Sequence, residues 1–319
     1  MQVVVIGAGG VGGFLGALLA KAGHDVAFLA RGKHLATIRE RGLELRSKQF
    51  GDIHVKPLAS DDPSGLPPAD VVIVAVKMYD FSSAALAAGV VLKPGGLAVT
   101  IQNGLDAPND LARVVGRERV VVGTASIEST ILEPGVVGHL VPIHRMTLAE
   151  LKGAPTARLE AVTAMLQAAK INVSIAPNGN QALWDKAAAL IPIATMTASV
   201  AAGIGAIFAL PETRALLEAL MAEAAAVAKA CGYDVGPSQG GFTAMMQQAS
   251  TVQPAFTTSM DRDFQHGKRT ELEWLTGKLV RLGDEHKVAA PGHRTLYAVL
   301  KLKEQRALDS ANQLVGARS

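Results

Sequence analysis

Residues 3 to 12 read Val-Val-Val-Ile-Gly-Ala-Gly-Gly-Val-Gly, a short β-branched run that passes directly into a glycine-rich loop. Gly7, Gly9 and Gly12 fit the pattern G-x-G-x-x-G, and the apolar residues after them predict a helix over Val11–Ala22. In such a strand–loop–helix unit, Gly7 permits the tight turn, Gly9 lets a pyrophosphate approach the backbone, and Gly12 lets the helix pack on the strand. The stretch therefore predicts a dinucleotide-binding domain; the alternative is a glycine-rich turn without a ligand.

The start of the predicted helix adds a second reason to expect a phosphate here. Backbone N–H groups in the first turn of a helix have no partner within the helix, and they can donate to phosphate oxygens. We therefore expect the whole loop to contact the cofactor, and its candidate residues are Gly7, Ala8, Gly9, Gly10, Val11 and Gly12.

The second predicted strand, Val26–Leu29, indicates which dinucleotide is bound. NAD-binding domains carry an acidic residue about 20 residues past the glycines, at the carboxyl end of this strand. Here Arg31 follows the strand, and Asp25 lies at its beginning. Because a guanidinium can pair with a 2′-phosphate, the sequence predicts NADPH/NADP as the cofactor. A solvated surface arginine is the alternative interpretation.

Polar residues also follow two later strands of the first half. Val71–Val76 ends at Lys77, and Ala98–Ile101 is followed by Gln102 and Asn103. Ligands of open α/β sheets bind outside the carboxyl ends of the strands, so Lys77 and Asn103 are candidate cofactor or substrate contacts. Ordinary loop residues would look the same in the sequence.

Strands and helices alternate over the first half of the chain and helices fill the second. This order predicts an α/β fold with a Rossmann-type, mostly parallel sheet in residues 1–178, followed by an all-helical domain in 179–319. Six strand candidates support the predicted sheet: Val3–Ile6, Val26–Leu29, Val71–Val76, Ala98–Ile101, Val120–Val122 and Ile171–Ile175. Gly51–Lys56 and Val136–Leu148 look like additional β segments.

The stretch Ala187–Leu210 contains 24 residues without a charge. Its length matches a bilayer span, but Pro192, Gly203 and several threonines within it suit close helix packing better. We predict a buried central helix, broken near Pro192 or near the glycines, and no membrane association.

The composition excludes several classes of protein. Of 319 residues, 49% are hydrophobic and 18% charged, which excludes intrinsic disorder. A net charge of +3 without a basic stripe, and aromatics at 4%, argue against nucleic-acid binding. Cys231 is the single cysteine, the eight histidines are scattered, and we predict no metal site. No secretory leader is recognisable, so a cytoplasmic protein is expected.

Several motifs together resemble the ketopantoate reductase (2-dehydropantoate 2-reductase) family, from Val5 to about Lys301. The glycine loop occurs in many families, whereas a Ser-Met-x-x-Asp stretch followed at this spacing by Thr-Glu is more specific. The motifs are Gly7–Gly12, Ala22–Val26, Ala30–Gly32, Val74–Lys77, Ile101–Leu105, Trp184–Lys186, Ser259–Asp263, Gly267–Glu273 and Thr295–Tyr297.

The resemblance implies a Rossmann domain, a helical domain like that of 6-phosphogluconate dehydrogenase, and an active site in the cleft. It implies NADPH-dependent reduction of 2-dehydropantoate to (R)-pantoate, a step of pantothenate biosynthesis. Lys186 would be the catalytic general acid and would also contact the substrate, and Asn103 would contact both cofactor and substrate. Ser259 would bind the substrate, and Glu271 would lie where cofactor and substrate hydroxyl meet.

Independent chemistry supports a role for Lys186. Hydride arriving at a ketone leaves an alkoxide that needs a nearby positive charge and then a proton. A lysine that opens an uncharged apolar run can be partly desolvated, which lowers its pKa. The alternatives are a lysine that extends its ammonium to water and, for Glu271, a solvated helix face.

Two positions depart from the family pattern. Four and eight residues after the catalytic lysine the family usually has asparagines that bind the substrate, and this chain has Leu190 and Ala194. The reaction class is unaffected, but the substrate could be a related 2-oxo acid, or a bulkier ketone or ketolactone. A non-catalytic NADP(H)-binding sensor is the rival from another class. The expected partner is a small molecule, and a homodimer is left open.

Overall fold

The computed structural model describes residues 1–316, and it describes their side chains except at 237–239, 242 and 310–316. The chain forms two compact units, Met1–Leu183 and a second that begins at Trp184. The division falls inside a helix that begins at Gly179.

Strands of the first unit form two sheets. The strands are β1 Gln2–Ile6, β2 Asp25–Leu29, β3 Leu43–Ser47, β4 Ile53–Val55, β5 Leu58–Ser60, β6 Ala69–Val74, β7 Leu92–Thr100, β8 Val120–Ile127, β9 Thr130–Glu133, β10 Val136–His139, β11 His144–Glu150 and β12 Asn172–Ile175. The larger sheet has eight strands in the order β12-β11-β8-β7-β6-β1-β2-β5. All six predicted strands belong to it.

The larger sheet is mostly parallel, because β5, β2, β1, β6, β7 and β8 pair with one another in one direction. Only β11 pairs antiparallel with its neighbour β8. Val3, Val4 and Val5 in β1 are fully buried, as expected for a central parallel strand covered by helices on both faces. The predicted α/β fold class is confirmed.

Five helices of the first unit connect these strands. They are α1 Gly10–Lys21, α2 Gly32–Arg41, α3 Phe81–Val91, α4 Ala107–Val115 and α5 Ala157–Ala168. Helical patterns in the sequence over Val11–Ala22, Lys33–Arg41, Phe81–Ala88 and Thr156–Ala169 predict α1, α2, α3 and α5. They do not predict α4, whose opening residues Pro108, Asn109 and Asp110 resemble a turn. Proline is nevertheless tolerated in the first turn of a helix, where its missing N–H would have no partner.

A smaller sheet with the order β4-β3-β10-β9 packs against α1. The contact is close, since a Cβ on Gly13 of α1 would lie 2.7 Å from Val137 in β10. The predicted β segment Val136–Leu148 is β structure, and it contains two strands, β10 and β11, which belong to different sheets. Pro142 lies between them, and a proline cannot donate to a strand ladder.

The second unit is helical, and the helix that leads into it, α6, starts in the first. The helices are α6 Gly179–Val200, α7 Ile204–Ala209, α8 Pro211–Ala230, α9 Gly236–Val252, α10 Ser259–Gln265, α11 Thr276–Glu285 and α12 Pro291–Gly316. Ile193 and Met196 of α6 are almost fully buried in a core shared with α7 and α8.

Helix α6 continues through Pro192, so the predicted break at this residue is wrong. The helix ends at Val200, and Ala201 has a positive φ of 49° just before Gly203, which agrees with the alternative break at the glycines. An interior proline costs about 3 kcal/mol, and tight burial of Ile191 and Ile193 on either side can offset it. Within residues 1–316, no helix combines the length and the apolarity needed to cross a membrane.

Candidate active site

All of the predicted site residues of the first unit lie at the carboxyl edge of the larger sheet. The glycine loop follows β1, Arg31 follows β2, Lys77 follows β6, and Asn103 follows β7. These four strands are parallel neighbours in the order β7-β6-β1-β2, so the four segments after them emerge side by side. This edge is where open α/β sheets bind their ligands.

The glycine loop is closed at two positions and open at a third. Gly7 has a φ of +101°, which a residue with a side chain rarely adopts, and a Cβ on Gly12 would lie 1.9 Å from the carbonyl oxygen of Gly7. A Cβ on Gly9 would meet no atom within 4 Å. The backbone is therefore accessible at Gly9, at the N-terminus of α1, and this cradle fits a dinucleotide pyrophosphate.

Gly10 has a different neighbour. A Cβ at this position would lie 2.3 Å from the backbone oxygen of Ser129 and 2.8 Å from the Cα of Thr130. The segment that joins β8 to β9 thus covers one side of the loop, and Gly10 is required for that packing.

Gln102 ties two of the predicted segments together. Its side-chain amide nitrogen donates to the carbonyl oxygens of Val74, at 2.7 Å, and Val76, at 3.2 Å. Its amide oxygen accepts from the N–H of Ile101 at 3.1 Å. The buried Gln102 therefore fixes the start of the Asn103 segment against the end of β6, next to Lys77. The sequence drew attention to Gln102 but indicated no function for it.

Arg31 projects from the surface, and its guanidinium is bound by Asp80. Nη2 donates to Oδ2 of Asp80 at 2.5 Å, and Nη1 donates to Oδ1 at 3.4 Å. Asp80 was missed by sequence reasoning, although an acidic residue three positions after a strand-end lysine is a visible signal. An ion pair this exposed contributes only about 0–1 kcal/mol to stability, so it does not immobilise Arg31.

In the second unit, Lys186 lies on α6 and Glu271 lies between α10 and α11. Part of Lys186 remains exposed, yet its burial among neighbouring groups removes water from the ammonium. This desolvation lowers the pKa of Lys186 from 10.5 to about 8. The negative charge of Glu271 acts in the opposite direction and raises that pKa. The arrangement can supply a lysine that is charged at neutral pH but gives up its proton readily.

Glu271 is 3% exposed, and the segment that carries it is held by α12. Glu304 of α12 accepts two hydrogen bonds at Oε1, from the N–H of Thr270 at 2.8 Å and from its hydroxyl at 2.6 Å. The hydroxyl of Thr270 also accepts from the N–H of Leu272 at 3.2 Å. The backbone on both sides of Glu271 is therefore fixed by buried hydrogen bonds.

Two pairs of buried threonines connect α6 to the segments that carry the other predicted residues. The hydroxyl of Thr197 lies 3.0 Å from that of Thr258, the residue before Ser259. The hydroxyl of Thr195 lies 2.7 Å from that of Thr276, five residues after Glu271. The structure thus fixes Ser259 and Glu271 relative to the helix that carries Lys186, and these threonines were not among the predicted site residues.

Leu190 and Ala194 lie one and two turns after Lys186 along the same face of α6. Leu190 is partly exposed, whereas Ala194 is 1% exposed. In the part of the chain that the structure describes, no group of three or more His, Cys, Asp and Glu side chains is placed to hold a metal ion. His139 and His144 lie among the rings of Phe14 and Phe50.

Comparison with known families accounts for both units. Residues 3–153 match the family model described as "Ketopantoate reductase PanE/ApbA", and residues 178–304 match "Ketopantoate reductase PanE/ApbA C terminal". The chain belongs to the ketopantoate reductase family. The resemblance noted from the motifs is therefore confirmed. As a member of this family, the chain is an oxidoreductase that acts at a CH–OH/C=O centre with a nicotinamide cofactor.

Individual relatives support the same assignment. The chain is 32% identical over 306 residues to the 2-dehydropantoate 2-reductase of Halobacterium salinarum, covering 96% of this chain and 99% of the relative. It superposes on a PanE/ApbA family ketopantoate reductase from Ralstonia eutropha with a TM-score of 0.87 at 30% identity, over 96% of this chain and 99% of the other. A D-mandelate dehydrogenase in a ternary structure with NADH shares the fold, with a TM-score of 0.88 at 18% identity over 96% and 99% of the two chains.

Proposed function

We propose that this ketopantoate reductase family member reduces 2-dehydropantoate, or a closely related 2-oxo acid, to the corresponding 2-hydroxy acid with NADPH. For 2-dehydropantoate the product is (R)-pantoate. The proposal is supported by Lys186, whose pKa is lowered by burial to about 8 and raised by the charge of the buried Glu271, and by a glycine loop that is open at Gly9.

Lys186 is the proton donor in this reaction. The nicotinamide, when bound, would supply a hydride to the carbonyl carbon, and the electron pair of the C=O π bond would move to the oxygen as an alkoxide. The ammonium of Lys186 stabilises the negative charge that develops on the oxygen and then protonates it from Nζ. Burial makes this proton easier to release, and Glu271 keeps the pKa high enough for the lysine to be charged near neutral pH.

The remaining predicted residues bind and orient the reactants. The loop Gly7–Gly12 holds the pyrophosphate, and Lys77 and Asn103 contact the cofactor at the neighbouring strand ends. Ser259 donates a hydrogen bond to the substrate, Asn103 contacts substrate as well as cofactor, and Glu271 accepts from the substrate hydroxyl.

NADPH is proposed over NADH because of the residue after β2. Arg31 stands where NAD-binding domains place an acid, and its exposed guanidinium can donate to a 2′-phosphate. A charge-assisted contact of this kind contributes on the order of 1.5–3 kcal/mol.

A second candidate is reduction of a bulkier ketone or a ketolactone. It is favoured by the partly exposed Leu190, which presents apolar surface on the Lys186 face of α6 where the family usually has an amide. The second such position, Ala194, is buried and also lacks an amide. A sensor without catalysis is disfavoured, because binding NADPH does not require a lysine with a lowered pKa.

The test is a reductase assay with purified protein, a panel of 2-oxo acids, larger ketones and ketolactones, and NADPH or NADH. We expect 2-dehydropantoate to be reduced to (R)-pantoate, identified by chiral chromatography, and NADPH to give the higher kcat/KM. Reduction of the larger ketones alone would favour the second candidate. Cofactor binding without turnover of any ketone would contradict both.

A further inference from the structure

The ion pair between Arg31 and Asp80 lies at the surface of the first unit. The Arg31 side chain is 79% exposed, and the Asp80 side chain is 28% exposed. Asp80 is bound through the two terminal nitrogens of the guanidinium, at 2.5 and 3.4 Å. An incoming anion can therefore reach Arg31 but must share it with a carboxylate.

The two residues come from loops on opposite sides of the glycine loop. Arg31 follows β2 and Asp80 follows β6, and both strands pair with β1, which leads into the glycine loop. Neighbouring strands are about 4.8 Å apart, so the pair joins loops whose strands are separated by about 10 Å. Asp80 is itself anchored, since its N–H donates to the carbonyl oxygen of Lys77 at 3.0 Å. The ion pair therefore spans the sheet edge at which the dinucleotide is proposed to bind.

We propose that Asp80 determines how strongly this protein distinguishes NADPH from NADH, by competing with the 2′-phosphate for Arg31. The inference rests on the proposed function, because it requires Arg31 to be the phosphate-binding residue. A phosphate monoester carries about two negative charges near neutral pH. The phosphate gains less electrostatic energy from a guanidinium whose charge is already neutralised by Asp80. It is also repelled by the Asp80 carboxylate beside that guanidinium.

NADH makes a different demand on the same pair. Its 2′-hydroxyl is neutral and can donate to a carboxylate, as it does to the strand-end acid of NAD-binding domains. Arg31 and Asp80 can then stay paired. Asp80 therefore weakens the binding of NADPH and strengthens the binding of NADH, and so reduces the difference in affinity between the two cofactors.

The experiment measures cofactor affinity for the Asp80→Asn protein without substrate, by fluorescence titration with NADPH and with NADH. We expect NADPH to bind roughly 3- to 10-fold more tightly and NADH to bind equally or more weakly, as the removal of one exposed charge allows. The gain should diminish as salt is raised to about 0.5 M, because exposed charges are screened. Asp61→Asn is the matched control, since it removes the carboxylate of another exposed ion pair, the one that Asp61 forms with Arg39 at 3.0 Å.

Arg31→Ala separates this inference from the proposed function. If Arg31→Ala weakens NADPH binding and Asp80→Asn does not tighten it, the proposed competition by Asp80 is wrong, while the role of Arg31 in binding the phosphate stands. If Arg31→Ala leaves NADPH binding unchanged, the proposed phosphate contact fails and the inference fails with it. In the Arg31→Ala background, Asp80→Asn should have less than about a twofold effect, and a full effect there would contradict competition for Arg31.

Discussion

Thr195, in the middle of α6, shares a hydrogen bond of 2.7 Å with Thr276, the first residue of α11. Both side chains are fully buried, and Thr195 also donates to the carbonyl oxygen of Ile191 at 2.7 Å. Because Thr276 follows the Glu271 segment closely, this contact sets where that segment lies relative to the helix of Lys186.

Replacing Thr195 should therefore affect catalysis as well as stability. Thr195→Val leaves the hydroxyl of Thr276 without this partner, which costs about 1–3 kcal/mol of the free energy of unfolding. We expect kcat to fall by roughly tenfold because the proton donor Lys186 and the Glu271 segment are no longer held in the same relative position. The Kd for NADPH should be unchanged. Thr195→Ser should restore kcat. Thr163→Val is the control, because its buried hydroxyl bonds the carbonyl oxygen of Leu159 within α5. Equal losses of kcat in both valine variants would contradict a positioning role.

Removal of the proposed acid gives a larger effect. Lys186→Ala should lower turnover by about 10²–10⁴, the usual contribution of a general acid. NADPH binding, followed by fluorescence titration, should stay close to normal. A variant that keeps more than half of its turnover, with chemistry rate-limiting, would mean that Lys186 is not the proton donor.

The pH dependence of the reduction should report the ionisation of Lys186. The acid must be protonated, so kcat/KM should decline above about pH 8, the pKa that burial and Glu271 together produce. Glu271 raises this pKa, so Glu271→Gln should move the decline to lower pH. Glu273→Gln is the matched control, because Glu273 pairs instead with Lys301 and Arg281. A decline that does not move in Glu271→Gln would contradict the coupling.

Substrate preference should respond to Leu190. Leu190→Asn restores an amide one turn after Lys186, and a hydrogen bond of about 0.5–1.5 kcal/mol should improve kcat/KM for 2-dehydropantoate relative to larger ketones by roughly 2- to 10-fold. Leu190→Ala removes the same bulk without adding an amide, and it should bring no such shift. We do not expect Ala194→Asn to be as informative, because Ala194 is 1% exposed and a buried amide without partners is destabilising. If both Leu190 variants gain equally, space rather than hydrogen bonding limits the substrate.

Acid should destabilise the first unit through two histidines. Burial lowers the pKa of His139 and of His144, so the folded chain protonates them less readily than the unfolded chain does. Below the unfolded-state pKa of about 6.5, the unfolded chain binds protons that the folded chain resists. The free energy of unfolding should therefore fall as pH drops from 7 toward 5, by at most about 1.4 kcal/mol per pH unit for each histidine. Urea titrations at several pH values should show that the free energy of unfolding of His144→Phe depends less steeply on pH. An unchanged pH dependence would rule out His144 as a contributor.

Local patterns were sufficient to predict the central strands and the glycine loop, because the positive φ of Gly7 and the close approach of Gly12 to the carbonyl oxygen of Gly7 are both features of the loop itself. Arg31 could be located for the same reason. The pairing of Arg31 with Asp80 could not be predicted, since the two residues are 49 positions apart and meet only when β2 and β6 flank β1.

In the second half, Pro192 shows where local preference fails. The proline predicts a break, but the burial of residues 191–198 around it outweighs the lost hydrogen bond. Thr195 and Thr197 looked like small packing residues in an apolar run, and their partners are 81 and 61 residues away. Hydroxyl pairs of this kind become visible only when helices are placed side by side.

The smaller sheet has a consequence for the order in which the protein can be completed during synthesis. Its inner strands β3 and β10 pair in parallel, although Glu44 and Val136 are far apart in the sequence. The Ser129–Thr130 segment that covers Gly10 lies immediately before and within β9 of the same sheet. A nascent chain that ends before β9 therefore lacks one wall of its glycine loop, however well β1 and α1 have formed. We therefore expect a bound cofactor to stabilise the emerging first unit only after β9 and its partner β10, which ends at His139, have left the ribosome.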